Sequence, residues 1–202
     1  MKSDIKIIKM QPEHIKYLAE IHYTSLQNDY LPSLGIHFLK SVYYPSINDS
    51  KHAITFIAVK DSMPIGFATI AHDSEEFIKT IMKKILIRFL FYGVITAIKK
   101  PSFLLSSFDL FSSVIKSKPD TVKGEIAFIA VKKDYQGQGI GKILVKEALV
   151  YLKDINVKYC KTKTLKKNNN VINMYESMGW KIRESFKLIG NEYVIIVSPS
   201  IF

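Results

Sequence analysis

Between an apolar run and an amphipathic segment the chain carries Gln136-Gly137-Gln138-Gly139-Ile140-Gly141, three glycines within five residues. No other stretch of the 202 residues limits the fold so tightly. Residues without a Cβ let main-chain N–H groups come close to an anion, here at the positive end of a helix. Spacing excludes two familiar versions of such a turn. A phosphate loop needs four residues between its first glycine and Gly-Lys-Ser/Thr, but only three separate Gly137 from Gly141-Lys142, and Ile143 offers magnesium no hydroxyl. A dinucleotide fingerprint needs glycine where Lys142 stands, and an acid about 20 residues later, where the chain has Tyr159-Cys160-Lys161.

Hydrophobic periodicity orders the rest. Residues 4–10 alternate as a short strand, and Gln11-Pro12-Glu13 starts a helix carrying Ile15, Leu18, Ile21 and His22. A loop, residues 27–34, leads to a second helix with Ile36, Phe38, Leu39, Val42 and Tyr43, which Pro45 and Asn48-Asp49-Ser50 are expected to end. Strands 53–60 and 65–72 flank a hairpin turn at Asp61-Ser62-Met63-Pro64. Residues 73–120 read as a basic helical hairpin inserted between strands, with eight lysines and arginines. Its first helix opens on Asp73-Ser74-Glu75-Glu76; Lys99-Lys100-Pro101 closes it, and Leu104, Phe108, Phe111 and Ile115 mark a second one. Then come a strand over 125–131, apolar enough to be buried on both faces, the glycine turn and a helix through Leu152. A strand over 157–164, a helix from Asn168 to Met178 capped by Gly179, and strands 181–188 and 192–198 complete the chain. The order is mixed α/β, a single domain over 1–202 with an insertion at about 73–120.

The glycine turn matches the Gln/Arg-x-x-Gly-x-Gly/Ala signature of the GCN5-related N-acetyltransferase (GNAT) superfamily. The preceding Ile129-Ala130-Val131-Lys132-Lys133-Asp134-Tyr135 resembles that family's passage from strand into loop. Asn168, Val171, Met174, Tyr175, Gly179 and Trp180 resemble its Asn-x-x-Ala-x-x-Leu-Tyr-x-x-x-Gly-Phe helix, with Val171 and Trp180 as apolar departures. The likeness is strong over 125–180, and the inserted hairpin is a feature most members lack.

The resemblance implies a mixed, mostly antiparallel sheet flanked by helices, and transfer of acetyl from acetyl-CoA to a primary amine by direct attack in a ternary complex. It places Gln136, Gly137, Gln138, Gly139, Ile140, Gly141 and Lys142 on the coenzyme's pyrophosphate, and the backbone of Ile129 and Val131 on its pantetheine arm. Asn168 would fix that arm or cap its helix. Tyr175 matches the tyrosine that faces the departing sulfur. A phenol near pKa 10 is a weaker acid than a thiol near 8.5, so full proton transfer is uphill by about 2 kcal/mol and a hydrogen bond suffices. Glu125 resembles a general base, alternatively a solvated carboxylate at a strand end. The need for a base depends on the acceptor: an amine near pKa 10.4 costs about 4.6 kcal/mol to deprotonate at pH 7, one near 8 about 1.4.

The remaining composition sets partners. With 29 Lys+Arg against 18 Asp+Glu the chain carries +11, a field that captures anions, or simply a lysine-rich solvated surface. Lys161-Thr162-Lys163 and Lys166-Lys167 flank the expected site, as phosphate-greeting groups or as a solvated face. One cysteine, Cys160, excludes an intrachain disulfide framework and reads as packed; five scattered histidines suggest no metal. The start shows no secretory pattern and no long uncharged apolar run occurs, so a soluble, cytoplasmic protein is expected. The insertion fits a lid over the acceptor, with a homodimer left open, better than a helix on an anionic membrane. Nucleic-acid binding is ranked last, for want of aromatics interleaved with a basic stripe. A small metabolite or amino sugar is favoured over a protein amine as acceptor. The competing function is a non-catalytic acyl-CoA-binding or sensing module.

Overall fold

The computed structural model describes residues 5–27, 30–83, 120–188 and 190–202. Among the described residues seven strands form one sheet, in the order β1-β2-β3-β4-β5-β7-β6. They are β1 (Lys6–Lys9), β2 (Ala53–Lys60), β3 (Met63–Ala71), β4 (Gly124–Val131), β5 (Cys160–Leu165), β6 (Lys181–Leu188) and β7 (Asn191–Val197). All neighbours are antiparallel except β4 and β5, which run parallel. The sheet is therefore mixed and mostly antiparallel, with helices on both faces.

The β2–β3 turn is tighter than its composition suggests. Asp61 and Ser62 alone make it, both at positive φ (47° and 64°), as a two-residue hairpin requires. Met63 already pairs with Lys60 and Pro64 with Val59. Pro64 is tolerated because the register shifts opposite it, between Ala58 and Val59, and a bulge is where a strand can spare an N–H donor.

On one face lies α1 (Ile15–Ser25), after a 3₁₀ turn at Pro12–His14 in which the Gln11 N–H donates to His14 Nδ1 at 3.0 Å. It buries Leu18, Ala19, Ile21 and His22. The expected loop contains a short helix, α2 (Tyr30–Ser33). The second helix does not stop at Pro45: α3 (Ile36–Phe38), a π turn (Leu39–Tyr43) and α4 (Tyr44–Asn48) follow without a break. A proline ring clashes with the carbonyl four residues back in a regular helix. The π turn, with the Tyr44 N–H reaching back to Leu39, widens the coil just ahead of Pro45 and removes that clash. The Ser46 hydroxyl then takes the Val42 carbonyl at 2.7 Å.

Residues 74–83 form α5, whose first turn is capped by Asp73 Oδ1 accepting the Glu76 N–H at 3.1 Å. Phe77 and Ile81 pack into the same layer as Leu18, Ile21, Val42, Tyr44, Phe67 and Ala130. The rest of the expected helical hairpin, including its second helix, lies outside the described residues. Residue 120 returns beside α5: Asp120 N–H meets Glu75 Oε1 at 3.1 Å, and Ser74 N–H meets the Lys123 carbonyl at 2.9 Å.

The opposite face carries α6 (Ile140–Asp154) and α7 (Asn169–Glu176). Ile140, Leu144, Ala148 and Leu152 recur on one side of α6 and pack with Ile126, Cys160, Tyr175, Trp180 and Ile196. Among the described residues no helix is long and apolar enough to cross a membrane.

Candidate active site: a gap between two parallel strands

Strands β4 and β5 share only three rungs, Gly124↔Cys160, Glu125↔Lys161 and Ile126↔Thr162. Beyond these, β5 continues along β7 as far as Leu165↔Tyr193, while β4 continues along β3. The cause of the parting is local. Thr69 pairs with Phe128 and Ile70 with Ile126, so Ala127 is an extra residue that bends β4. A wedge-shaped gap opens at Ala127 on one side and Lys163 on the other.

The backbone of Ile129 and Val131 faces this gap. In an antiparallel ladder, residues bonded to the neighbouring strand alternate with residues whose N–H and C=O point away from it. The Lys132 N–H donates to the Ile65 carbonyl at 2.8 Å, which puts Val131 and Ile129 in the second class. The Val131 carbonyl accordingly accepts from Gln136 Nε2 at 2.9 Å and from Ser25 Oγ at 3.3 Å, across the strand edge. Gln136 thus ties the glycine turn to the strand before it. Gln138 braces the turn from within, its Nε2 donating to the Asp134 carbonyl at 3.2 Å.

Gly137 and Gly139 stand at φ 74° and 79°, with nothing within 4 Å of where a Cβ would lie, so backbone angle and not space calls for glycine. Gly141 is different: a Cβ there would meet Met174 Sδ at 2.8 Å, because α6 and α7 approach closely. The Ile143 N–H donates to the Gly139 carbonyl at 3.1 Å and opens the helical ladder. Ile140, Gly141 and Lys142 therefore point first-turn N–H groups outward without a helical acceptor, at the positive end of a 15-residue helix. Ile140 anchors this end in the core, and Lys142 is exposed.

Asn168 caps α7 by position, yet its side chain makes no capping bond; Nδ2 reaches Thr164 Oγ1 at 3.3 Å instead. Tyr175 is fully buried against Trp180, ring centroids 4.7 Å apart, and among the described residues its hydroxyl has no hydrogen-bond partner. Thr162 lies close and offsets part of the burial effect, but its own hydroxyl donates to the Ile126 carbonyl at 3.0 Å. Burial pushes the Tyr175 phenol well above its ordinary value, so it is a protonated donor at any physiological pH. Cys160 is packed as expected, and burial raises its thiol beyond reactivity.

Glu125 sits at the narrow end of the gap, 7% exposed, with Lys163 Nζ at 3.1 Å and Lys161 Nζ at 3.8 Å. Side chains alternate across a strand, so Thr162, beside Tyr175, and the lysines beside Glu125 lie on opposite faces. The two expected catalytic residues thus lie on opposite faces of the sheet beside the last β4–β5 rungs, Tyr175 within the core. Lys161 is not part of a solvated face: its side chain is 5% exposed and reaches Asp120 at 2.8 Å. Asp120 is held well below the usual carboxylate range, first by two hydrogen bonds from Arg183 (2.9 and 2.8 Å) and then by Lys161. Asp120 and Arg183 escaped the sequence reading because only tertiary contact joins positions 63 residues apart. Lys166 pairs with Glu192 at 2.8 Å.

A mixed sheet parted over a glycine turn and a bare helix start is the arrangement of an acetyltransferase fold. Residues 21–180 match the family model described as "Acetyltransferase (GNAT) family", and the chain belongs to that family. Solved structures agree in fold. An N-acetyltransferase from Staphylococcus aureus Mu50 is 13% identical, covering 99% of this chain and 100% of that one, with TM-score 0.64. The PaiA N-acetyltransferase of Thermoplasma acidophilum, in complex with coenzyme A, is 16% identical over 97% and 99%, with TM-score 0.61. The ribosomal-protein-S18-alanine N-acetyltransferase of Escherichia coli is 12% identical over 97% and 94%, with TM-score 0.60. None of the curated proteins compared matches the sequence.

Proposed function

We propose that this protein is an acetyl-CoA-dependent N-acetyltransferase acting on the primary amine of a small molecule, with both substrates bound together. The observation that carries the reading is the continuity of three donor sets: the gap-facing backbone of Ile129 and Val131, the glycine turn, and the bare N–H groups of Ile140, Gly141 and Lys142. Together they fit a long ligand that is amide-bearing along its arm and doubly charged at its pyrophosphate. The Thermoplasma acidophilum relative, solved with coenzyme A, supports that choice. The co-substrate supplies a thioester, a carbonyl already activated toward amines.

The chain's own residues do the rest. The helix start and glycine turn hold the pyrophosphate, where the helix dipole and unpaired N–H groups favour negative charge. The Ile129 and Val131 backbone orients the arm as an added strand would lie. Glu125 accepts the amine proton, directly or through water. Tyr175 donates its uncommitted hydroxyl hydrogen to the departing sulfur. Because burial raises its pKa further above that of a thiol, its contribution is a hydrogen bond held through the step, with no complete transfer needed.

The test is an amine panel scored by thiol release from acetyl-CoA, run beside calorimetric titration of coenzyme into wild type and Gly139→Glu. Wild type should bind and turn over. Gly139→Glu, which puts a carboxylate among the pyrophosphate donors and a side chain at φ 79°, should weaken coenzyme binding by at least about tenfold. Unchanged affinity would show the pyrophosphate lies elsewhere. Coenzyme binding with no turnover of any amine would leave the sensing module.

A further inference from the structure

The charges beside Glu125 form an alternating row that the proposed chemistry does not use up. From the β6 edge inward it runs Glu184, Arg183, Asp120, Lys161, Glu125, Lys163, with successive contacts of 3.0, 2.8, 2.8, 3.8 and 3.1 Å. Across β4 the residue paired with Glu125 is the uncharged Ala71. Asp120 receives a bidentate fork from Arg183 and an ammonium from Lys161; Arg183 has Glu184 as a second counter-charge, and Lys161 has Glu125 at 3.8 Å as its own. Lys163 ends the row, and among the described residues Glu125 is its counter-charge. It is also the outermost of the two lysines, its side chain 36% exposed against 5% for Lys161. By register it is the first β5 residue past the last β4–β5 rung, at the mouth of the gap.

Resting on the N-acetyltransferase reading, an electrostatic consequence follows. An amine that approaches Glu125 arrives as an ammonium and competes with Lys163 for the same carboxylate. Once Glu125 has accepted the amine proton it is neutral, and Lys163 is left at a partly desolvated position with no anion. For an ammonium this exposed the loss is modest, and an anion carried by the acceptor would restore the pairing. A plain monoamine supplies nothing, and a diamine adds repulsion. An amine with a carboxylate on the adjacent carbon supplies both halves: its nitrogen and nearest carboxylate oxygen are roughly 3 Å apart by covalent geometry. That matches the 3.1 Å between Lys163 Nζ and Glu125 Oε1. We infer that the acceptor is an α-amino carboxylate, with Glu125 taking its nitrogen and Lys163 its carboxylate, and that Lys163 is the specificity-determining residue.

The experiment uses matched acceptors that share a side chain: the amino acid, its carboxamide and the corresponding amine without the carboxyl group. Thiol release from acetyl-CoA gives kcat/KM for each, with wild type, Lys163→Met and Lys163→Glu. Wild type should favour the carboxylate by at least about tenfold, and Lys163→Met should bring the ratio near one. Lys163→Glu should turn the preference toward the amine without the carboxyl group. A wild-type ratio at or below one overturns the inference while leaving the transferase intact, and needs no variant. Retention of the carboxylate preference in folded Lys163→Met also overturns it. If coenzyme binds but no member of any set is acetylated, the transferase reading fails first and takes this inference with it.

Discussion

Replacing Tyr175 by phenylalanine separates stability from activity more cleanly than any other change at the site. The hydroxyl is buried without a hydrogen-bond partner among the described residues, a condition that costs about 1–3 kcal/mol. Thr162 stands near enough to offset part of that cost, which puts the gain from removing the hydroxyl at the low end, about 1 kcal/mol. The ring itself, packed 4.7 Å from Trp180, is kept. For a domain of this size 1 kcal/mol corresponds to a rise in Tm of about 2–4 °C. Urea denaturation should therefore show a higher midpoint at unchanged slope, while kcat falls about 10–100-fold with little change in KM for the amine. Loss of more than about 1 kcal/mol of stability would mean that the hydroxyl is bonded in the free protein. An unchanged kcat would mean that it does not touch the departing sulfur. Either result refutes the reasoning.

Two further outcomes follow from burial. His22 is enclosed by Tyr43, Tyr44, Phe67 and Phe128, with Nδ1 2.8 Å from the Tyr44 hydroxyl, and burial lowers its pKa to about 4. The unfolded chain takes up this proton first, near pH 6.5, so stability is complete above that value and falls as pH drops toward 4. The loss amounts to about 3 kcal/mol, and denaturation curves of wild type against His22→Gln across pH 7 to 4 should differ by that pH-dependent amount. Gly124→Ala places a Cβ 2.9 Å from the Tyr159 carbonyl and 2.9 Å from Val157 Cγ1. With backbone on one side it should destabilise by about 1–3 kcal/mol, read as a lower urea midpoint.

Local pattern made most of the architecture legible before any coordinates. The β4 run, a helix directly after the glycine turn and the positive-φ cap at Gly179 are all visible because each depends on neighbours in sequence, although the helix begins at Ile140, inside the turn. Pro45 was misleading for a physical reason: its cost is set by the preceding turn, and a π turn is not written in residue type. Asp61-Ser62-Met63-Pro64 overstates the hairpin turn because Pro64 reads as a breaker unless the bulge beside it, at Ile65, is known. At the site, the turn and its glycines were readable as backbone chemistry. The partners of Glu125 were not: Lys161 and Lys163 meet it only once β5 lies beside β4, and Arg183 reaches Asp120 from β6 with β7 in between. Spacing puts His22 on the same helical face as Ile15, Leu18 and Ile21, but its bond to Tyr44 depends on how α4 crosses it.

The hydrogen bond from Ser74 to Lys123 has a consequence for the sheet. It closes the exit and re-entry points of the segment between them over an antiparallel strand pair that already holds β3 to β4. To the sheet, the whole excursion is one connection with welded ends. The strands, and the wedge they open, keep their registration because those two ends are fixed to each other.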